Sequence, residues 1–216
     1  KWSAAGLAGV WAERNVREDI FAAMRRKETF ATSGPRIKVR LFAGHDYPAD
    51  IWASATFATT AYARGVPMGG DLRLAGRGAP TFLAQAMKDP NSAGLQRMQI
   101  IRGWVEKGQT REKVYDIACA RGVPDARTHR CPASAENIDT GSCKIDPAQG
   151  AGELKVSWRD PDFSAARRAF YYVRVLENPT CRWSTWEANR LGKKPQPSLP
   201  LTIQERAWSS PLWVGA

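Results

Sequence analysis

The sequence lacks the features that mark membrane proteins, exported precursors and the commonest hydrolases. No run approaches the roughly 18–20 apolar residues that a membrane-spanning helix needs, and residues 1–3 do not start the charged, apolar and small-residue zones of a signal peptide. No serine lies in a Gly-x-Ser-x-Gly elbow, and no pair of carboxylates has a spacing that by itself assigns a hydrolytic role. We therefore interpret the chain as a mature protein or a piece of one, and predict no catalytic, cofactor-binding or metal-binding residue in it.

Histidine is scarce, which restricts acid–base and metal chemistry. Of the two histidines, His45 precedes Asp46 in a predicted turn, and one such pair does not make a metal centre. His129 lies beside two arginines, whose charge disfavours an imidazolium or a bound cation. We predict structural or surface roles for both. An enzyme that uses His45 and Asp46 is the third of three functional alternatives.

Basic residues exceed acidic ones, yet they are not concentrated. The 32 lysines and arginines against 21 acidic residues give a net charge of +11, which favours anionic partners. These residues are spread along the chain without a dense block or a known nucleic-acid motif. We therefore predict solvated strand faces and no nucleic-acid partner, and keep an anionic ligand open.

Short segments of alternating polarity dominate the middle and the end of the chain. Their spacing is typical of a sandwich or barrel. The segment 168–177 is the densest in aromatic and β-branched residues, which predicts a central strand, and 201–214 is predicted to be an edge strand. The other predicted strands are 37–42, 81–87, 95–105, 111–118 and 154–158.

Two helices flank this β-rich region. Asn15 and Glu18 form a potential capping box that predicts a helix over 16–27. The face expected to be buried is made of residues at helical spacing: Val16, Ile20, Ala23, Met24 and Lys27. A second box at residues 184–187 predicts a short helix over 185–191. The expected fold is mainly β: an antiparallel β-sandwich-like domain at 36–216, preceded by a terminal helix and junction at 1–35.

Four cysteines surround a long irregular stretch, residues 119–152. Their gaps are wider than those of paired zinc ligands, so we predict two disulfides, with three connectivities open, and reduced buried thiols as the alternative. Two disulfides imply an oxidising compartment outside the cytoplasm. The candidates are Cys119, Cys131, Cys143 and Cys181.

Nine tryptophans are the other unusual feature. Trp104 and Trp158 fall on strand patterns and are predicted to be core residues. Those near the C-terminus, including Trp213, alternate with arginines and could form a stacking platform for sugars or bases, or simply pack. As an alternative function we therefore predict a carbohydrate- or anion-binding module with a ligand surface of Arg36, Arg182, Trp183, Trp186, Arg206 and Trp208.

Five segments carry a resemblance to a known family. They are GLAGVWAERNVREDIFAAMRRKETFATSGPRIKVRLF, ARGVPMGGDL, LQRMQIIRGW, WRDPDFSAARRAFYYVRVLENPTCRWSTW and TIQERAWSSPLWV. Together they resemble the C-terminal part of the bacterial domain-of-unknown-function 3604 (DUF3604) family. That family in turn is similar to the polymerase-and-histidinol-phosphatase (PHP) metallohydrolases, in which a barrel with His and Asp metal ligands precedes a β-rich domain.

The resemblance implies that the metal ligands precede this chain, so no catalytic residue is carried over. The helix over 16–27 would end the upstream barrel, its expected partner, which would hold any divalent metal. The chain would be the non-catalytic accessory domain of an exported hydrolase of phosphate or related esters, with Thr32, Ser33 and Arg36 near the substrate entrance. We expect no activity from the chain alone.

Overall fold

A computed structural model of the chain describes residues 6–133 and 138–215, so the parts of our predictions at 1–5, 134–137 and 216 lie outside the described residues. The helices are α1 (Arg17–Arg25), α2 (Phe57–Arg64) and α3 (Trp183–Arg190), with a turn of 3-10 helix at Ile51–Ala53. The strands are β1 (Leu7–Val10), β2 (Thr29–Thr32), β3 (Lys38–Gly44), β4 (Gly65–Pro67), β5 (Asp71–Leu72), β6 (Thr81–Met87), β7 (Leu95–Glu106), β8 (Gln109–Cys119), β9 (Glu153–Arg159), β10 (Ala169–Glu177), β11 (Thr180–Cys181), β12 (Thr202–Ile203), β13 (Arg206–Ser209) and β14 (Leu212–Val214).

Two sheets carry most of the fold, which is mainly β as predicted. In the eight-stranded sheet, β10 is central: β7 pairs with it along one edge, while β13 and β14 pair with the two halves of the other edge. The four-stranded sheet has the order β4-β3-β6-β9. The described pairings in both sheets are antiparallel except for β14 with β5, which is parallel.

The two sheets pack face to face around one apolar core. Val39 of β3, Phe82 of β6 and Val173 of β10 are each fully buried in it. The ring of Phe82 lies 4.5 Å from that of Tyr171 on β10, which joins the two layers directly. On the opposite face of the smaller sheet, Leu83 packs with α2 and the 3-10 turn. Period-two alternation therefore sends successive residues of β6 to two different apolar layers.

Three local predictions from the sequence are wrong. Neither capping box forms: the N-cap positions are Val16 and Arg182, and neither side chain makes a capping hydrogen bond. The predicted buried face of α1 is also wrong at Met24, which is 55% exposed, although Ala23 is buried as predicted. Finally, β13 is not an edge strand, because it lies between β2 and β10.

The segment before residue 35 takes part in the large sheet. β2 pairs with β13, and β1 pairs with β2, so both strands extend this sheet beyond β13. β1, β2 and α2 were not predicted, because they are short and their alternation is weak. The proposed division of the chain at residue 35 stays a prediction.

Both predicted disulfides form, and the reduced-thiol alternative is wrong. Cys119 is bonded to Cys131, and Cys143 to Cys181. The first bridge closes a loop at the end of β8, while the second ties the irregular 119–152 stretch to β11, immediately before α3. Each bridge restricts the unfolded chain and so reduces the entropy that the chain gains on unfolding. This effect stabilises the fold by about 3 kcal/mol per bridge.

An ion pair is buried at one end of the core, in the turn between β9 and β10. Arg102 Nη1 lies 3.1 Å from Asp160 Oδ2, and the two residues are 1% and 4% exposed. Tyr171 donates its hydroxyl to the same carboxylate oxygen at 2.8 Å, and Arg102 also donates to the carbonyl of Asp162 at 2.7 Å. This network anchors the turn to the large sheet.

Candidate functional site

The structure separates the six predicted ligand-surface residues. Arg182 and Trp183 line one groove, whereas Trp208 lies on the outer face of the large sheet, opposite Arg174. Trp186 is 49% exposed on α3, and Arg36 is exposed in the segment before β3. Arg206 turns its guanidinium back to the carbonyl of Gln204. The set is therefore not a single binding surface.

The groove that contains Arg182 lies where the start of α3 approaches the segment between β2 and β3. Its volume is about 610 Å³. We call it the junction groove, because the segment 33–35 was predicted to join two domains. Its lining includes Ser33, Gly34, Pro35, Ser92, Arg182, Trp183 and Glu205.

Hydrogen bonds fix the wall that Ser33 and Glu205 form. The Ser33 hydroxyl donates to the Glu205 carboxylate and accepts from the backbone amide of Arg206 at 2.9 Å. The backbone amide of Ser33 in turn donates to the carbonyl of Arg206 at 2.9 Å. The segment therefore continues the pairing of β2 with β13, which holds the Glu205 side chain in place.

Arg182 is the cation of the junction groove. Its backbone amide donates to the carbonyl of Leu201 at 2.9 Å, which sets the start of α3. Its Nε is buried and has no hydrogen-bond partner in the described part of the chain. Trp183, the next residue, is 48% exposed. The groove therefore combines an unsatisfied guanidinium donor with an accessible indole.

A buried carboxyl group lies behind Ser92, at the end of β10. Glu177 is fully buried, and its Oε1 accepts a hydrogen bond of 2.7 Å from the Ser92 hydroxyl. Burial raises the pKa of Glu177 to about 7; the Ser92 bond opposes this shift, while the negative charges of Glu205 and Asp89 add to it. Glu177 itself does not line the groove, and its carboxyl group is hydrogen-bonded to the lining through Ser92.

Among residues 6–133 and 138–215, no group of three or more His, Cys, Asp or Glu side chains is placed to hold a metal ion. In the same residues no helix is both long and apolar enough to cross a membrane.

Comparison with protein families matches the whole chain, residues 1–216, to the family described as a protein of unknown function, DUF3604.

The chain belongs to the DUF3604 family. This membership was expected from the five sequence segments, and it identifies a family without assigning a reaction. No curated protein and no solved structure matches the chain.

His45 and Asp46 do not form a catalytic pair in this DUF3604 chain. The Asp46 carboxylate pairs with Arg77, and its backbone carbonyl accepts from Arg64 at 2.9 Å. His45 Nε2 is buried without a hydrogen-bond partner among the described residues. Burial, followed by the charge of Arg77, lowers the pKa of His45, so the imidazole is neutral near pH 7. The geometry gives the third functional alternative no support.

Sequence reasoning missed Ser92 and Glu205 in the lining of the junction groove, and the buried Glu177 behind Ser92. The sequence signal that could have indicated Glu177 is its position: it is a charged residue at the end of β10, a strand rich in aromatic and β-branched residues, just before Asn178. A charged residue in such a strand is either solvent-exposed or a buried polar group that needs partners. Only the packing of Ser92 against it distinguishes these two cases.

Proposed function

We propose that this chain is a non-catalytic accessory domain of a larger, extracytoplasmic, metal-dependent hydrolase, and that α1 docks on the upstream catalytic barrel. The observation that carries the proposal is the uncovered apolar face of α1. Phe21 and Met24 are 60% and 55% exposed and lie three residues apart, so they are neighbours on one face of the helix. An adjoining domain would remove this surface from water.

Two further observations support this proposal. Both disulfides suit an oxidising compartment outside the cytoplasm. If the resemblance to PHP-type enzymes holds, the metal-binding His and Asp residues would lie in a barrel upstream of this chain. The divalent metal and the hydrolysis of phosphate or related esters would then belong to that barrel, and Arg36 would face its substrate entrance.

The test compares the isolated chain with the full-length protein on phosphomonoester and phosphodiester substrates, with and without Mn²⁺ or Zn²⁺. We expect metal-dependent turnover only in the full-length protein. A Phe21→Ser, Met24→Ser variant of that protein should release the domain from the barrel, which limited proteolysis would show as faster cleavage between them. The matched control is Val123→Ser, because Val123 is 77% exposed and distant in sequence from α1. Metal-dependent activity of the isolated chain would refute the proposal.

The second candidate function is ligand binding in the junction groove, within the predicted carbohydrate- or anion-binding alternative. The unsatisfied Arg182 Nε favours an anion, because a buried guanidinium donor gains most from a charged acceptor. An Arg182→Gln variant is expected to bind inorganic phosphate at least tenfold more weakly, as followed by tryptophan fluorescence. Arg190→Gln, on the exposed end of the same helix, is the control. Equal phosphate affinity in the two variants would remove this candidate.

A further inference from the structure

A second groove lies on the outer face of the eight-stranded sheet, away from the core. Ala169 and Tyr171 point into the core, so Phe170 between them faces outward. Trp213 of β14 pairs directly with Phe170, and their ring centroids lie 5.2 Å apart. The groove has a volume of about 620 Å³. We call it the sheet-face groove; its floor contains Gly103, Val105, Phe170 and Trp213.

A glycine lies opposite the phenylalanine in the floor of the sheet-face groove. Gly103 of β7 pairs with Phe170, and a Cβ atom at Gly103 would lie only 2.2–2.8 Å from three atoms of that ring. The Phe170 ring therefore lies against the backbone of β7, and its plane is inclined by 58° to that of Trp213. Trp213 and Val105 are 37% and 64% exposed. Apolar surface is thus accessible in a wide, shallow floor.

The charged side chains around this floor are paired with one another. Arg167 and Arg111 contact the Glu106 carboxylate at 2.8 and 3.9 Å. Arg168 contacts Asp71 at 3.5 Å, while its guanidinium carbon lies 5.2 Å from the Trp213 ring centroid. Nucleic acid and other polyanions bind through the neutralisation of phosphate by unpaired cations. Because these arginines already have carboxylate partners, the groove offers little net charge to an anion.

We propose that the sheet-face groove binds a neutral oligosaccharide of hexopyranose units. A pyranose ring has a face of C–H groups, which packs on the accessible apolar surface of Phe170, Trp213 and Val105, and a perimeter of hydroxyl groups. The paired guanidinium and carboxylate groups supply donors and acceptors for those hydroxyls without requiring a charged ligand. This inference is independent of the proposed docking of α1 and of the junction groove, since it uses none of their residues.

The experiment measures binding of cellohexaose, laminarihexaose and hexa-N-acetylchitohexaose to the chain by titration calorimetry, with polygalacturonate as the anionic probe. We expect at least one neutral hexasaccharide to bind, and Trp213→Ala to weaken its binding at least tenfold. Val105→Asp, at a highly exposed position, should weaken it similarly and tests the floor without removing a core contact. Val123→Asp is the matched control for Val105→Asp, because Val123 is 77% exposed and lines neither the sheet-face groove nor the junction groove.

Three outcomes would overturn the proposal. They are the absence of binding to all three neutral hexasaccharides, a preference for polygalacturonate that is lost at high salt, and unchanged affinity in both Trp213→Ala and Val105→Asp. Circular dichroism melts of the variants separate lost binding from lost folding, and Val105→Asp still decides the question if Trp213→Ala unfolds. Loss of phosphate binding in Arg182→Gln without any change in oligosaccharide binding would show that the two grooves act separately.

Discussion

Replacing Asp160 by alanine is expected to lower the free energy of unfolding by about 3–5 kcal/mol. The substitution leaves the Arg102 guanidinium, in a residue that is 1% exposed, without its carboxylate partner at 3.1 Å. It also removes the acceptor of the Tyr171 hydroxyl. A buried charge that loses its counter-ion keeps its full desolvation cost, so this effect exceeds that of an ordinary hydrogen bond. Equilibrium unfolding in urea measures it.

The control for this experiment is another aspartate–arginine pair, at the surface. Asp46 contacts Arg77, but their side chains are 68% and 55% exposed, and Asp46→Ala should cost no more than about 1 kcal/mol. The double change Arg102→Met, Asp160→Leu should recover much of the loss, because it removes both charges together. Equal destabilisation by Asp160→Ala and Asp46→Ala would contradict a structural role for the buried pair.

Replacing Glu177 by glutamine is expected to change how stability depends on pH. The carboxyl pKa rises from 4.5 to about 7 on folding, so the folded state holds the proton more tightly than the unfolded state. The stability that this proton provides is complete below pH 4.5 and is lost as the pH rises through 7. Between pH 4.5 and pH 8 the free energy of unfolding of the wild type should therefore fall by about 3 kcal/mol relative to that of Glu177→Gln.

The comparison between the two proteins isolates Glu177 from other titrating groups. Asp125 and Asp162 have lowered pKa values and change stability in the opposite direction, but they do so equally in both proteins. Glu187→Gln, on the exposed surface of α3, is the matched control and should follow the wild type at every pH. Urea unfolding at pH 4.5, 6 and 8 provides the measurement. A constant difference between wild type and Glu177→Gln would exclude the buried carboxyl as the source.

The strands that the sequence predicted well are those whose burial is strong. β6 spans Thr81–Met87, the range predicted from its alternating residues. β10 is central, as its aromatic and β-branched residues indicated, because both of its edges and its inner face are covered. In these segments the local pattern and the tertiary environment agree, so the pattern alone is sufficient.

The capping predictions failed for a physical reason that the sequence does not contain. The N-cap residue of α1 is Val16, whose backbone is extended, and Asn15 lies one position before it. A capping side chain acts only when its own residue occupies that conformation. At α3, the anchoring of Arg182 to the carbonyl of Leu201 sets the helix start instead. At α3, therefore, a contact between distant segments decided where the helix begins.

Tertiary contacts, and not the sequence pattern, also decide which charged residues are buried. Arg102 and Glu177 lie on alternating strands and look solvent-facing in sequence, yet both are buried. Arg102 pairs in register with Tyr171, which turns it inward, and only the turn after β9 brings Asp160 to it. Likewise Trp213 was predicted within a C-terminal aromatic cluster, but the pairing of β14 with β10 placed it beside Phe170 instead.

The sequence by itself determined the mainly β class, the central strand, the two disulfides and membership of the DUF3604 family. These features follow from composition, alternation and family segments, which do not depend on contacts between distant residues. Tertiary structure alone decided which cysteines pair, which strand lies beside β10, and which charges are buried. Each of these depends on contacts between residues far apart in the chain, such as Cys143 with Cys181. Both grooves arise from such contacts, and for that reason neither could be located before the sheets were assembled.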